Sequence, residues 1–181
     1  MLRNCSYLAA LALALAPSLR LASPQDAEAP ENDFASPTAI VAAAYDVISG
    51  AAGEERDWDR LRSLFHPELG RLLPVARIPG SDGPELRPHT PEEYIEMAGG
   101  YFETAGFYET ELHSKVEQYG AMAHVWSTYE SRTAPDEEPF ARGINSFQLT
   151  HDGERWWILS ILWDAEGPHQ AIPDEYLPER D

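Results

Sequence analysis

Asp164 and Asn145 are the residues on which chemistry would turn if they share a cavity. A carboxylate in an apolar hollow loses hydration, its pKa rises, and it becomes usable as a general acid or base. An amide beside it can hold an oxyanion. The register that brings them together is read from HDGERWWILSILWDAEG at 151–167. Asp152-Gly153 is a preferred pair for a two-residue hairpin turn, since both residues tolerate positive φ. That turn pairs His151 with Glu154, Leu149 with Trp156, Phe147 with Ile158 and Asn145 with Ser160. Strict alternation then puts Phe147, Asn145, Trp156, Ile158, Ser160, Leu162 and Asp164 on one face. Ile144, Arg142, Trp157, Leu159, Ile161 and Trp163 fall on the other.

The preceding strand, 121–133, adds further candidates. If Trp126 pairs with Phe147, then His124, Trp126, Thr128 and Glu130 join Asp164; a slip of one residue substitutes Val125 and Tyr129. Tyr94 and Tyr101 reach in from a helix, and Tyr45 from another. The expected catalytic set is Asp164, His124 and Asn145, with Trp126, Thr128, Glu130, Tyr94, Tyr101 and Ser160 lining a ligand pocket. The run ETELHSKVEQ at 109–118 alternates Glu109, Glu111, His113, Lys115 and Glu117, and reads as a solvated face with cross-strand ion pairs. The six histidines are scattered with no zinc-like spacing, so no metal site is expected. There is no phosphate-cradling glycine loop and no nucleophile elbow, and no cofactor is expected.

Three helices and a sheet must position these groups. Ser36 caps and Pro37 begins the first helix, whose apolar stripe is Ile40, Val41, Ala44, Tyr45 and Ile48. Asp57 caps a second, WDRLRSLFH, which Pro67 closes. The third opens on TPEE, with Thr90 and Glu93 spaced for a capping box. Gly99 and Gly100 inside it point to a close backbone approach or a kink. Residues 70–89 are irregular around a short strand at 71–77 and read as a lid or rim. Strands follow at about 107–118, 121–133, 140–150 and 155–164. The expected class is α+β, with three N-terminal helices on the concave face of a curved antiparallel sheet. Helices cover one face only. Trp157, Leu159, Ile161 and Trp163 on the other would then need a cover, either a second copy forming a homodimer or the Pro-rich tail at 166–181.

Net charge is −18, from 13 basic and 31 acidic side chains, which repels nucleic acid and anionic membranes. Residues 1–25 read as a secretory signal peptide, with Arg3 before an apolar run, YLAALALALA at 7–16. That run is about half of the ~20 residues a spanning helix needs. The alternative is a short helix that stays attached. Export implies a secreted or periplasmic protein, not held in a membrane once the signal is removed. Cys5 lies in the signal, so the mature chain would carry no thiol. Residues 26–36, acidic and Pro-rich, read as a flexible linker before a domain at 37–165.

YDVISGAAGEERDWDRLRSLFHPE at 45–68 and the Gly153, Trp156, Ile158 run resemble the nuclear transport factor 2-like superfamily, which includes the SnoaL-like proteins. The resemblance covers about 37–165. It implies a cone-shaped, cystatin-like domain with a pocket between helices and concave sheet, often dimeric through the convex face. It also implies two function classes. The first expectation is binding of a small apolar or mixed-polarity ligand, or a protein-interaction role. The alternative is a cofactor-free lyase or isomerase with acid/base chemistry like that of SnoaL or ketosteroid isomerase.

Overall fold

A computed structural model describes residues 32–78, 80 and 82–179. The expected signal peptide and the linker up to residue 31 lie outside the described residues. The three helices start where their caps place them. Helix α1 (Pro37–Ile48) is capped by Ser36, whose hydroxyl accepts from the Ala39 amide at 3.0 Å. It buries Ile40, Val41, Ala44 and Tyr45. Asp57 caps α2 (Trp58–Leu64) through the Arg60 amide, and both halves of the Thr90–Glu93 capping box form at α3 (Pro91–Phe102). Gly99 and Gly100 mark no close approach: a methyl group at either would meet no atom within 4 Å. The helix runs through them unbroken.

Four long strands form an antiparallel meander: β3 (Tyr108–Tyr119), β4 (Met122–Arg132), β5 (Ala141–His151) and β6 (Trp156–Ala165). Two earlier strands extend it. β1 (Arg71–Ala76) lies parallel to β6, and β2 (Glu85–Leu86) pairs antiparallel with β1. The six-stranded sheet, in order β2-β1-β6-β5-β4-β3, is therefore mixed and not purely antiparallel. Ile40, Leu64, Phe65, Val125, Phe147 and Ile158 are among the most deeply buried residues between sheet and helices.

The last hairpin departs from the expected register twice. Its turn spans four residues, Asp152 to Arg155, so His151 pairs with Trp156. Gly153 takes a positive φ (107°), but Asp152 does not, as a two-residue type I′ turn would require. Instead the Asp152 carboxylate accepts from the Glu154 and Arg155 amides at 2.8 Å each and from the Trp157 indole at 2.6 Å. These donors hold its carboxyl well below the usual range. The second departure is a β-bulge. Leu149 faces Ile158, but Gln148 faces Ser160, so Leu159 is an extra residue and every later side chain changes face. Trp156 and Ile158 point at the helices as expected, and Trp157 points away. Beyond the bulge Ile161 and Trp163 turn inward, while Ser160, Leu162 and Asp164 turn outward.

β4 adopts the slipped register, with Val125 opposite Phe147. Val125, Ser127, Tyr129 and Ser131 are buried on the helix side, and His124, Trp126, Thr128 and Glu130 take the other face. β3 carries a second bulge, at Leu112: Glu111 faces Tyr129, but His113 faces Thr128. The expected single charged face is thus divided. Glu109 and Glu111 share the inner side with Ser131 and Tyr129, whereas His113, Lys115 and Glu117 are outside.

The proposed pairing surface of Trp157, Leu159, Ile161 and Trp163 is not one face, because the Leu159 bulge sends Ile161 and Trp163 into the core. Part of the outer face is covered by the chain's own tail. Ile172 is buried, the Tyr176 carbonyl accepts from the Thr128 hydroxyl at 2.5 Å, and the Tyr176 and Trp126 rings lie 5.7 Å apart.

Adjacent residues distinguish the two registers. Ile161 is 8% exposed and Leu162 38%. Ile161→Asp is expected to destabilise the fold by more than about 3 kcal/mol, and Leu162→Asp by less than about 1 kcal/mol, in urea unfolding. The opposite order would place the bulge wrongly.

Candidate functional site

The inner face of the sheet and the helices line a cavity of ≈ 120 Å³ that is partly open to solvent. Its walls are largely apolar, with Phe65, Leu72, Phe147 and Ile161 among them. Into it project Tyr45 from α1, Tyr94 from α3, Glu109 from β3, Tyr129 from β4, Asn145 from β5 and Trp163 from β6.

Glu109 is the ionisable group of the cavity. Its Oε2 accepts from the Ser131 hydroxyl at 2.8 Å, and the Asn145 amide nitrogen approaches Oε1 at 3.5 Å. Lost hydration raises its pKa, these two donors oppose the rise, and the balance stands at about 7. A carboxyl so poised exchanges protons readily at neutral pH.

The second polar feature is a hydrogen-bond chain with a fixed direction. A carboxylate only accepts, so Ser127 donates to Glu111. The Ser127 oxygen then receives the Tyr45 hydroxyl proton at 2.6 Å, and the Tyr45 oxygen accepts from the Asn145 amide at 3.0 Å. Tyr45 therefore has no proton left for a ligand. Asn145 spends its donors on Tyr45 and Glu109, so it supports the carboxylate and does not hold an oxyanion.

The unengaged donors are elsewhere. Among the described residues the hydroxyls of Tyr94 and Tyr129 and the indole nitrogen of Trp163 have no protein partner. Burial raises the pKa of both phenols, and the Glu109 charge raises it further. Both remain protonated donors at neutral pH. Gly143 lies opposite Tyr129 on β5, and a methyl group there would sit 2.6 Å from the phenol oxygen and collide with the Asp164 carbonyl. The missing side chain lets the ring lie across the neighbouring strand.

Of the residues expected in the site, Asn145 and Tyr94 line the cavity. Asp164 is on the outer face, where hydrogen bonds from Arg77 and Gln170 hold it and, with the Arg77 charge, keep its carboxyl below the usual range. His124 is also outside, 2.9 Å from the Ser146 hydroxyl and edge-on to Trp126. Trp126 and Thr128 meet the tail, Glu130 pairs with Arg132, and Ser160 faces outward. Tyr101 is 46% exposed on α3. The strict-alternation reading missed Glu109 and Trp163, both reversed by the bulges. Tyr129 was reachable through the slipped register of β4. No three His, Cys, Asp or Glu side chains come together as a metal-ion site among the described residues.

No protein-family model matches the chain, and no curated protein matches it. Solved structures do. A protein of unknown function with a cystatin-like fold from Nostoc punctiforme is 10% identical, with TM-score 0.54, over 72% of this chain and 89% of that one. A candidate aromatic ring hydroxylase from Novosphingobium aromaticivorans is 14% identical, with TM-score 0.51, over 72% and 87%. An NTF2-like protein of unknown function from Silicibacter pomeroyi is 16% identical, with TM-score 0.49, over 71% and 92%. At these identities the likeness is one of fold. The chain has an α+β fold like the cystatin-like fold of the Nostoc punctiforme protein.

Proposed function

We propose that this cavity performs acid/base chemistry without a cofactor, as a lyase or isomerase acting on a small ligand. The observation that carries this reading is the Glu109 carboxyl, titrating near neutrality in an apolar cavity beside two unengaged phenols. Glu109 as carboxylate takes a proton from a carbon next to a carbonyl. The electron pair moves onto the carbonyl oxygen, and the Tyr129 or Tyr94 hydroxyl donates to that oxygen as charge develops. Glu109 then returns the proton to another carbon, for isomerisation, or to a leaving hydroxyl, for elimination. A placed base contributes about 10²–10⁴ in rate, and one donor to the developing oxyanion about 10²–10³. The apolar run at 7–16 supports a secreted or periplasmic setting for this activity.

The rival reading, binding without turnover, uses the same cavity and gives Glu109 no special part. Proton exchange separates the two. Wild-type protein is expected to catalyse exchange of the α-protons of a small cyclic ketone into D₂O, followed by NMR. Glu109→Gln should lower that rate by about a hundredfold or more while keeping the wild-type circular dichroism. Asp164→Asn and His124→Gln, on the outer face, should leave it unchanged. Equal exchange by wild type and Glu109→Gln would reject the acid/base reading.

The same group gives a pH signature. Its folded pKa, about 7, lies above its ordinary value of 4.5. The native state therefore binds the extra proton, and the stability it contributes is fully present below pH 4.5 and lost as pH rises through 7. Wild type should lose stability relative to Glu109→Gln across that window, in urea midpoints measured at successive pH values. A constant difference between the two would contradict the raised pKa.

A further inference from the structure

Three properties of the cavity, taken together, narrow what it can hold. The first is size. At ≈ 120 Å³ it is slightly smaller than a dry protein cavity of about 150 Å³ that takes one benzene ring. One six-membered ring fills it, and two fused rings exceed it. The second is charge. No Arg, Lys or His is among the residues that line it, while Glu109 is. A carboxylate or phosphate entering beside Glu109 would be desolvated against a like charge, with no cation among the lining residues, which is unfavourable. The ligand is therefore neutral. The third is hydrogen-bonding capacity. The donors of Tyr45 and Asn145 are engaged within the protein, so those on offer are the Tyr94 and Tyr129 hydroxyls and the Trp163 indole. Apart from the Glu109 carboxylate the cavity is rich in donors. Its complement is an acceptor oxygen on an otherwise apolar body, because a donor left unpaired against a bound ligand costs affinity.

We propose that the ligand is a neutral, single-ring carbonyl compound of about benzene size, its oxygen held by Tyr129 and Tyr94 and an acidic C–H turned to Glu109. This inference rests on the acid/base reading for its C–H and on the cavity walls for its size and charge. The reaction balances without oxidant or reductant: a C–H bond breaks, its proton goes to Glu109 and its electron pair to the carbonyl oxygen. In a β,γ-unsaturated ring ketone the proton then returns at the γ carbon, as the C=C bond shifts into conjugation and the carbonyl re-forms. Polycyclic and anionic substrates are disfavoured by the cavity's volume and by the Glu109 charge.

The test is a binding series by isothermal titration calorimetry with full-length protein, using phenol, benzoate and 2-naphthol. Phenol stands in for the enol of a one-ring ketone, benzoate adds a charge, and 2-naphthol adds a ring. The series is run at about pH 8, above the Glu109 pKa and below the phenol pKa of ~10. Phenol is expected to bind, with benzoate and 2-naphthol each about tenfold or more weaker. Tyr129→Phe should weaken phenol by about tenfold, the worth of one good buried hydrogen bond. Tyr94→Phe, on the separately packed α3, is the second variant should Tyr129→Phe fold poorly. Benzoate or 2-naphthol binding as tightly as phenol, absence of phenol binding, or phenol affinity unchanged in both variants would overturn the proposal. The walls, not the carboxylate, set the size limit, so Glu109→Gln should still prefer phenol to 2-naphthol. A lost size order with proton exchange still dependent on Glu109 rejects the ligand class alone. A preserved size order with exchange independent of Glu109 rejects the acid/base reading alone.

Discussion

The structure depends on the parity of its strands. Successive side chains of a strand point to opposite faces, so one extra residue exchanges inside and outside for everything beyond it. Two such residues, Leu112 in β3 and Leu159 in β6, decide the composition of the cavity. The first brings Glu109 and Glu111 inward while leaving His113, Lys115 and Glu117 on the outer face. The second brings Ile161 and Trp163 inward and sends Asp164 out to Arg77. Bulges also bend a sheet and increase its twist, which suits a sheet that curves around helices.

This explains which parts of the molecule could be read from the chain. Caps are local chemistry, and Ser36, Asp57 and the Thr90–Glu93 box mark their helices without reference to anything distant. β5 carries no bulge of its own, so alternation put Asn145 and Phe147 on the correct side. β6 is different: WWILSILW is apolar at both parities, and burying either set satisfies the hydrophobic effect about equally. Nothing local reports the extra residue. β3 hides its bulge for a related reason, because both glutamates continue an alternating charged pattern that ordinarily means a wet surface. The last turn was misjudged because Asp152 acts through its carboxylate, which gathers two amides and an indole, and not through an unusual backbone angle.

The cavity's electrostatics follow from the same rearrangement. The net charge is −18, and most carboxylates among the described residues are exposed. Glu109 differs because its neighbours are Ser131, Asn145 and aromatic rings, with no cation lining the space. The chain from Asn145 through Tyr45 and Ser127 to Glu111 has its hydrogens ordered by the one member that can only accept. That order removes two polar residues from direct ligand contact and leaves Tyr94, Tyr129 and Trp163 as the groups still seeking partners.

The two ends of the described chain are both fastened to the body of helices and sheet. Asp33 forms a two-bond pair with Arg60, and Phe34 stacks on the Arg155 guanidinium, whose other side meets Trp157. At the opposite terminus the strap after β6 lies across Trp126 and is tied by Gln170 to the Arg77–Asp164 pair. A boundary drawn where the helix and strand patterns begin and end, at 37 and 165, would cut both fastenings. The packed contacts extend past the recognisable motif at both ends, where Asp33, Phe34, Gln170 and Tyr176, in segments that look like spacers in composition, act as buckles.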